Sequence, residues 1–121
     1  MSQREITILT DLALITCIVQ RGLGDAIVHA ARDAGAQGAT IYYARGSGVR
    51  ERLGVLGVAV AVEKEIINIV AATEQLDAIF DSIYLAGKLD TPGMGFMYVT
   101  ALEKAATYIP PEVVKKLGKK S

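Results

Sequence analysis

Apolar positions fall into two kinds of run along this chain, and their alternation sets the order of elements. Leu12 to Gln20 (LALITCIVQ) is rich in branched apolar residues and reads as a buried strand. Gly22 and Gly24 punctuate its end. Apolar spacing then turns helical, with Ala26, Ile27, Ala30, Ala31 and Ala34 on one side and Arg32 and Asp33 on the other. Asp25 suits the start of that helix and Gly35 its end. Thr40 to Ala44 (TIYYA) is a second strand by β-branched and aromatic content. Arg45 to about residue 61 reads as a loop with Gly46, Gly48, Gly54 and Gly57. Ile66 to Ala71 is a third strand, led in by the charged Glu63-Lys64-Glu65. Thr73 is placed to cap a second helix with Leu76, Ile79, Phe80 and Ile83 on its apolar side, ending at Gly87. Phe96 to Ala101 is the fourth strand.

The order βαββαβ predicts an α+β, ferredoxin-like domain: a four-stranded antiparallel sheet with two helices on one face. The other face has no helix to cover it. Its Ile, Val and Tyr positions point to packing against further subunits. Glu5 to Leu9 either adds an edge strand or stays loose, and Glu103 to Tyr108 forms a helical turn or a short strand. Pro110-Pro111 stops regular structure, and residues 110–121 read as a flexible, solvated tail.

Composition narrows this picture. One core suffices for 121 residues, so residues 1–121 read as a single domain with an extension over 1–11. Hydrophobic residues make up 51 % and mean hydropathy is +0.34, which fits extra burial in an oligomer. Thirteen basic and thirteen acidic side chains give zero formal charge, against nucleic-acid binding by bulk electrostatics. The lone Cys17 sits in an apolar run without Cys or His at metal spacing, so an inert thiol in a reduced, cytoplasmic setting is expected. No signal peptide is read at the N-terminus and no apolar run is long enough for membrane insertion.

Candidate chemistry lies in two glycine-rich stretches: Arg45-Gly46-Ser47-Gly48, with Arg50 and Arg52 beyond it, and Gly87 to Gly95 (GKLDTPGMG). Glycines uncover backbone N–H groups and let the chain approach an anion closely. No nucleophile–base pair accompanies them. Ser47 leads into a loop without a histidine base, His29 is alone on the first helix, and Asp77 and Asp81 read as a solvated helix face. Lys64 reads either as surface charge or as a cleft-lining cation. Met94 and Phe96 read as interface residues or as walls of an apolar pocket.

Four segments together, LITCIV, GATIYYARGSG, EKEIINIVA and GKLDTPGMGFMYV, resemble the PII-type nitrogen-regulatory signal-transduction proteins, and more closely a divergent PII-like branch. The resemblance runs from about Leu14 to Tyr108. It implies a cytoplasmic homotrimer whose sheets face a central axis, with adenine nucleotides bound in inter-subunit clefts. It implies a sensor that regulates a membrane transporter or metabolic enzyme, and no catalysis. The loop over 45–61 would be the target-docking T-loop and the stretch after Gly87 the phosphate-wrapping B-loop. Carried over residue by residue, Thr40 would contact adenine and Gly46 and Gly48 form the T-loop base. Lys64 would meet phosphate or an effector carboxylate, and Gly87, Lys88, Gly93, Met94 and Gly95 would form the B-loop. Arg50 would serve ligand or partner, and Arg52, Val55 and Leu56 the partner. The apolar run from Val55 to Val60 either docks into that partner or extends the hairpin into the trimer core.

The departures are specific. Met94 stands where ATP binders carry aspartate, Phe96 where they carry a phosphate-binding lysine, and Val49 where they carry a basic residue. KAATYI lacks their two arginines, and no tyrosine between Arg45 and Lys64 could be uridylylated. Each missing charge-assisted contact is worth about 1.5–3 kcal/mol. No cofactor is firmly implied; AMP, ADP and ATP are the candidate effectors, the less charged ones favoured with help from Arg45, Arg50 or Arg52. The alternative is a trimeric interaction module that works without a ligand.

Overall fold

The computed structural model describes residues 6–46, 62–108, 110 and 112. Four strands, β1 (Leu12–Gln20), β2 (Ala39–Gly46), β3 (Val62–Ala72) and β4 (Gly95–Leu102), form one sheet in the order β2-β3-β1-β4. Every pairing is antiparallel. Helices α1 (Gly24–Asp33) and α2 (Leu76–Ala86) cover one face. This is the ferredoxin-like arrangement that the element order predicts.

The core lies between the helices and the odd-numbered positions of β1 and β3. Ile15, Cys17, Val19, Ile67 and Ile69 meet Ile27, Ile79 and Ile83, all fully buried. Burial holds the Cys17 thiol up at about 12, so it is a small hydrophobe rather than a nucleophile.

The opposite face is built from even-numbered positions in register. Tyr42, Ile66, Ile18 and Phe96 form one row across the four strands. Thr40, Asn68, Thr16 and Tyr98 form the next. In that row the Thr16 hydroxyl donates to Asn68 Oδ1 at 2.9 Å, a polar pair beside the apolar row of Tyr42, Ile66, Ile18 and Phe96. Phe96 is 63 % exposed and leans on Tyr98 with ring centroids 5.7 Å apart.

Several boundaries differ from the sequence expectation. Arg45 and Gly46 belong to β2 rather than to a loop, because the ladder continues as Arg45↔Glu63 and Gly46↔Val62. The charged Glu63-Lys64-Glu65 is therefore strand, with Lys64 and Glu65 buried. Thr73 does not cap α2: it opens a single 3-10 turn (Thr73–Gln75), no side chain caps that turn or the helix, and the Thr73 N–H donates to Asp11 O at 2.9 Å. Leu9 and Ala105 exchange backbone hydrogen bonds of 2.8 and 3.0 Å, so these two segments meet at a single bridge.

Both helices end in the same device. After α1, Gly35 takes φ +115°, its N–H reaches Arg32 O and that of Ala36 reaches Ala31 O. This is the Schellman closure, which needs a left-handed residue. After α2, Lys88 N–H reaches Leu85 O and Leu89 N–H reaches Tyr84 O. Here the left-handed residue is Lys88 (φ +54°), and Gly87 keeps helical angles. Gly87 is needed for room instead: a Cβ there would stand 3.3 Å from both Ile27 Cδ1 and Ile83 O.

Candidate ligand site

The loop between α2 and β4 carries four of the ten candidate ligand residues and leads into a fifth, Gly95, and its backbone conformation decides what it can hold. It leaves the helix through Lys88, turns with Thr91 N–H on Lys88 O (2.9 Å), and turns again with Met94 N–H on Thr91 O (3.3 Å). Gly93 adopts φ +80°, open to glycine and strained for other residues. Gly95 then starts β4 so close to β1 that an added Cβ would lie 2.6 Å from Ile18 O. Gln20, the last residue of β1, fastens the loop twice: Nε2 donates to Gly93 O at 2.8 Å and its backbone N–H to Met94 O at 3.3 Å.

A phosphate cradle needs free N–H groups. The amides of Gly87, Lys88, Leu89, Thr91 and Met94 are spent on backbone carbonyls, and Pro92 has none. Among the described residues only Asp90 and Gly93 keep backbone N–H groups of this loop without an acceptor. One lysine, Lys88, and one aspartate, Asp90, give the loop no net charge. Met94 is half-buried and Phe96 faces outward from the sheet.

Lys64, Gln20 and Ala44 face one another across β3, β1 and β2, so the structure brings Lys64 and the base of the 47–61 segment to the same end of the sheet as the loop. Lys64 is only 9 % exposed there, which excludes the reading as loose surface charge. Gly46 is the last residue of β2 and pairs with Val62. Gly48, Arg50, Arg52, Val55 and Leu56, together with Ser47 and Val49, lie outside the described residues.

Thr40 is not with them. It sits on the outer strand β2, four residues before Ala44 and two strands from β1. At ~3.3 Å per residue and ~4.8 Å per strand, that places it roughly 16 Å from the Gln20 end. There it lines a recess of about 730 Å³ with Leu12, Leu14, Gly38, Asn68 and Val70. Every residue lining this recess is uncharged. The amide group of Asn68 has spent its oxygen on Thr16 and keeps its N–H donors.

A second cluster was not foreseen from the sequence. Arg21, Tyr43, Ala44, Arg45 and Glu63 line a recess of about 380 Å³ on the helix-side face, at the base of the 47–61 segment. Arg21 pairs with Glu63, which holds the guanidinium more firmly protonated, and lies 5.6 Å from the centre of the Tyr43 ring. Beside it, the buried Glu65 carboxylate accepts the N–H of Gly24 at the start of α1. The signal was alternation: Glu63 and Glu65 share one face of β3, but only once the strand extends back to Val62.

No group of three or more metal-ligating side chains occurs among the described residues, and no helix of theirs is long and apolar enough to cross a membrane. His29 and Asp33 face each other at 3.4 Å on an exposed turn of α1.

The described residues thus present an antiparallel sheet backed by two helices, with glycine turns and single cations at its ends. The family profile described as nitrogen regulatory protein P-II matches residues 12–110, and the chain belongs to that family of regulatory signalling proteins. Among solved structures, PII of Arabidopsis thaliana bound to citrate superposes with a TM-score of 0.58 at 19% identity, over 78% of this chain and 79% of that one. At that identity the likeness concerns the fold. A comparison with curated proteins gives no match.

Proposed function

We propose that this chain is a cytoplasmic, trimeric sensor of an adenine nucleotide that regulates a membrane transporter or metabolic enzyme through its 47–61 segment. The observation that carries the reading is the separation of Thr40 from the loop of Lys88, Gly93 and Gly95 within one copy. If both serve one ligand, as the sequence resemblance implies, one copy would supply the Thr40 recess and a second copy the loop. The uncharged recess suits a purine base, which needs hydrogen bonds and apolar walls but no counter-charge. The loop, with two open N–H groups and Lys88, suits a small phosphate load. The apolar outer face of Ile18, Ile66, Tyr42 and Phe96 supplies the surface on which copies pack. No part of this reading is catalytic.

The departures at Met94 and Phe96, and the spent amides of the loop, support one further reading: a trimeric interaction module that needs no ligand. Calorimetric titration of nucleotide-free protein with AMP, ADP and ATP, with its mass measured by light scattering, separates the two. Saturable binding to a species of three chains supports the sensor. A trimer that takes up none of the three supports the module, and a monomer that binds none sinks both.

A further inference from the structure

Gln20 occupies a position that neither nucleotide contact nor core packing explains. It is exposed, yet its side chain and backbone both bind the 87–95 loop, at Gly93 O and Met94 O. These two bonds turn two successive loop carbonyls toward β1. They fix the peptide planes on either side of Met94, directly after Gly93, the residue with φ +80° and one of the loop's two open N–H groups. In the other direction, Gln20 is the ladder partner of Lys64, and Lys64 is the partner of Ala44, two residues before the end of β2. One transverse line of backbone contacts thus runs Met94–Gln20–Lys64–Ala44, from the ligand loop to the strand ends that carry the 47–61 segment.

We propose that Gln20 is a positioning residue that sets the 87–95 loop and couples its occupancy to the β2–β3 ends. A phosphate group drawn onto the Gly93 N–H turns the Pro92–Gly93 peptide and, through the Gly93 Cα, pulls on the Gly93–Met94 peptide that Gln20 holds. The shift reaches residues 43–46 and 62–65 through the ladder instead of being absorbed within a loose loop. This rests on the nucleotide-sensor reading above and adds the route by which that site would act.

Gln20→Glu tests it because the shape is kept while the donor is replaced by a charged acceptor. A carboxylate cannot donate to Gly93 O and repels it. The probe is hydrogen exchange at residues 43–46 and 62–65, with and without saturating AMP, beside calorimetry. Wild-type protein should slow its exchange there about fivefold or more with AMP. Gln20→Glu should still bind AMP, weakened about tenfold or less, and lose that slowing. Gln20→Ala, which removes the donor without adding charge, should behave the same way. Gln20 in a merely structural role would lower thermal stability in both variants and leave the AMP-dependent slowing intact, which overturns the proposal. Wild-type protein that binds AMP without any slowing overturns it too. Wild-type protein that binds neither AMP, ADP nor ATP overturns the sensor reading itself, and is recognised because no variant is needed to see it.

Discussion

The carboxylate of Glu65, on the inner strand β3, accepts the N–H of Gly24 at 2.6 Å, so a strand side chain closes the start of α1. No residue of the helix caps itself there. A buried anion at a helix N-terminus meets both an unsatisfied donor and the positive end of the helix dipole. Gly24 is required for the approach, because a Cβ would stand 2.5 Å from Glu65 Oε1. Glu65→Ala should destabilise the fold by about 1–3 kcal/mol by orphaning that N–H, and Gly24→Ala by a similar amount through displacement of the carboxylate. Urea titration with an unchanged slope would report both. A loss below a few tenths of a kcal/mol in Glu65→Ala would refute the closure.

Lys88 stands where α1 has Gly35, at the left-handed position of a helix ending. A side chain there is strained by about 1 kcal/mol, partly offset by the greater freedom glycine has in the unfolded chain. Lys88→Gly should stabilise by about 0.5 kcal/mol, while Gly35→Ala should destabilise by about 1 kcal/mol. Thermal melts of the two variants, moving in opposite directions, check the pair.

Cys17 gives the fold an alkaline limit of its own. Its thiol is raised from 9.0 to about 12 in the folded protein by burial. Above pH 9 the unfolded chain releases this proton while the folded chain keeps it. The contribution is therefore fully present below pH 9 and lost as pH rises toward 12, at about 1.4 kcal/mol per pH unit. Cys17→Ala removes that slope, whatever the shared tyrosine and lysine titrations do. Stability measured between pH 8 and 10.5 should fall less steeply in the variant, and parallel curves would refute the assignment. In native protein the thiol should resist aromatic disulfide reagents until denaturant is added.

Phe96 separates assembly from folding. It is 63 % exposed on the outer face and contributes little to the core of one copy. Phe96→Lys should change unfolding free energy measured at low concentration by no more than about 0.5 kcal/mol. In the proposed trimer it should nevertheless reduce the mass seen by light scattering from three chains to one. Ile79→Ala is the complementary control: a cavity in the core should lower stability by about 2–5 kcal/mol. A Phe96→Lys protein that stays trimeric would remove this face from the assembly.

Element types and order were legible because the period of apolar residues is local information. The apolar run marks β1 from Leu12 to Gln20, the range it occupies. For β3 the local pattern starts only at Ile66, because Glu63 and Lys64 look like loop, and the ladder to β2 and β1 is what carries the strand back to Val62. Gly87 and Lys88 exchanged roles for a similar reason. Local sequence marks where a helix ends, whereas contact with Ile27 in the other helix decides which residue must lack a side chain. The grouping of the candidate site was legible only in part. The resemblance implies one ligand site for Thr40 and the loop after Gly87, while the extended β2 sets Thr40 six residues before the Gly46 end.

Gly46 and Val62 face each other as the last described ladder pair of β2 and β3. Up to that pair the register of the sheet is fixed by contacts among the described residues alone. Closing a longer connection across a fixed gap adds only about 0.6 kcal/mol for each doubling of its length. The scaffold can thus accept grafts between these two residues, varying in length and composition, while the sheet and both helices stay unchanged. A docking specificity carried there could diversify faster than the body that presents it.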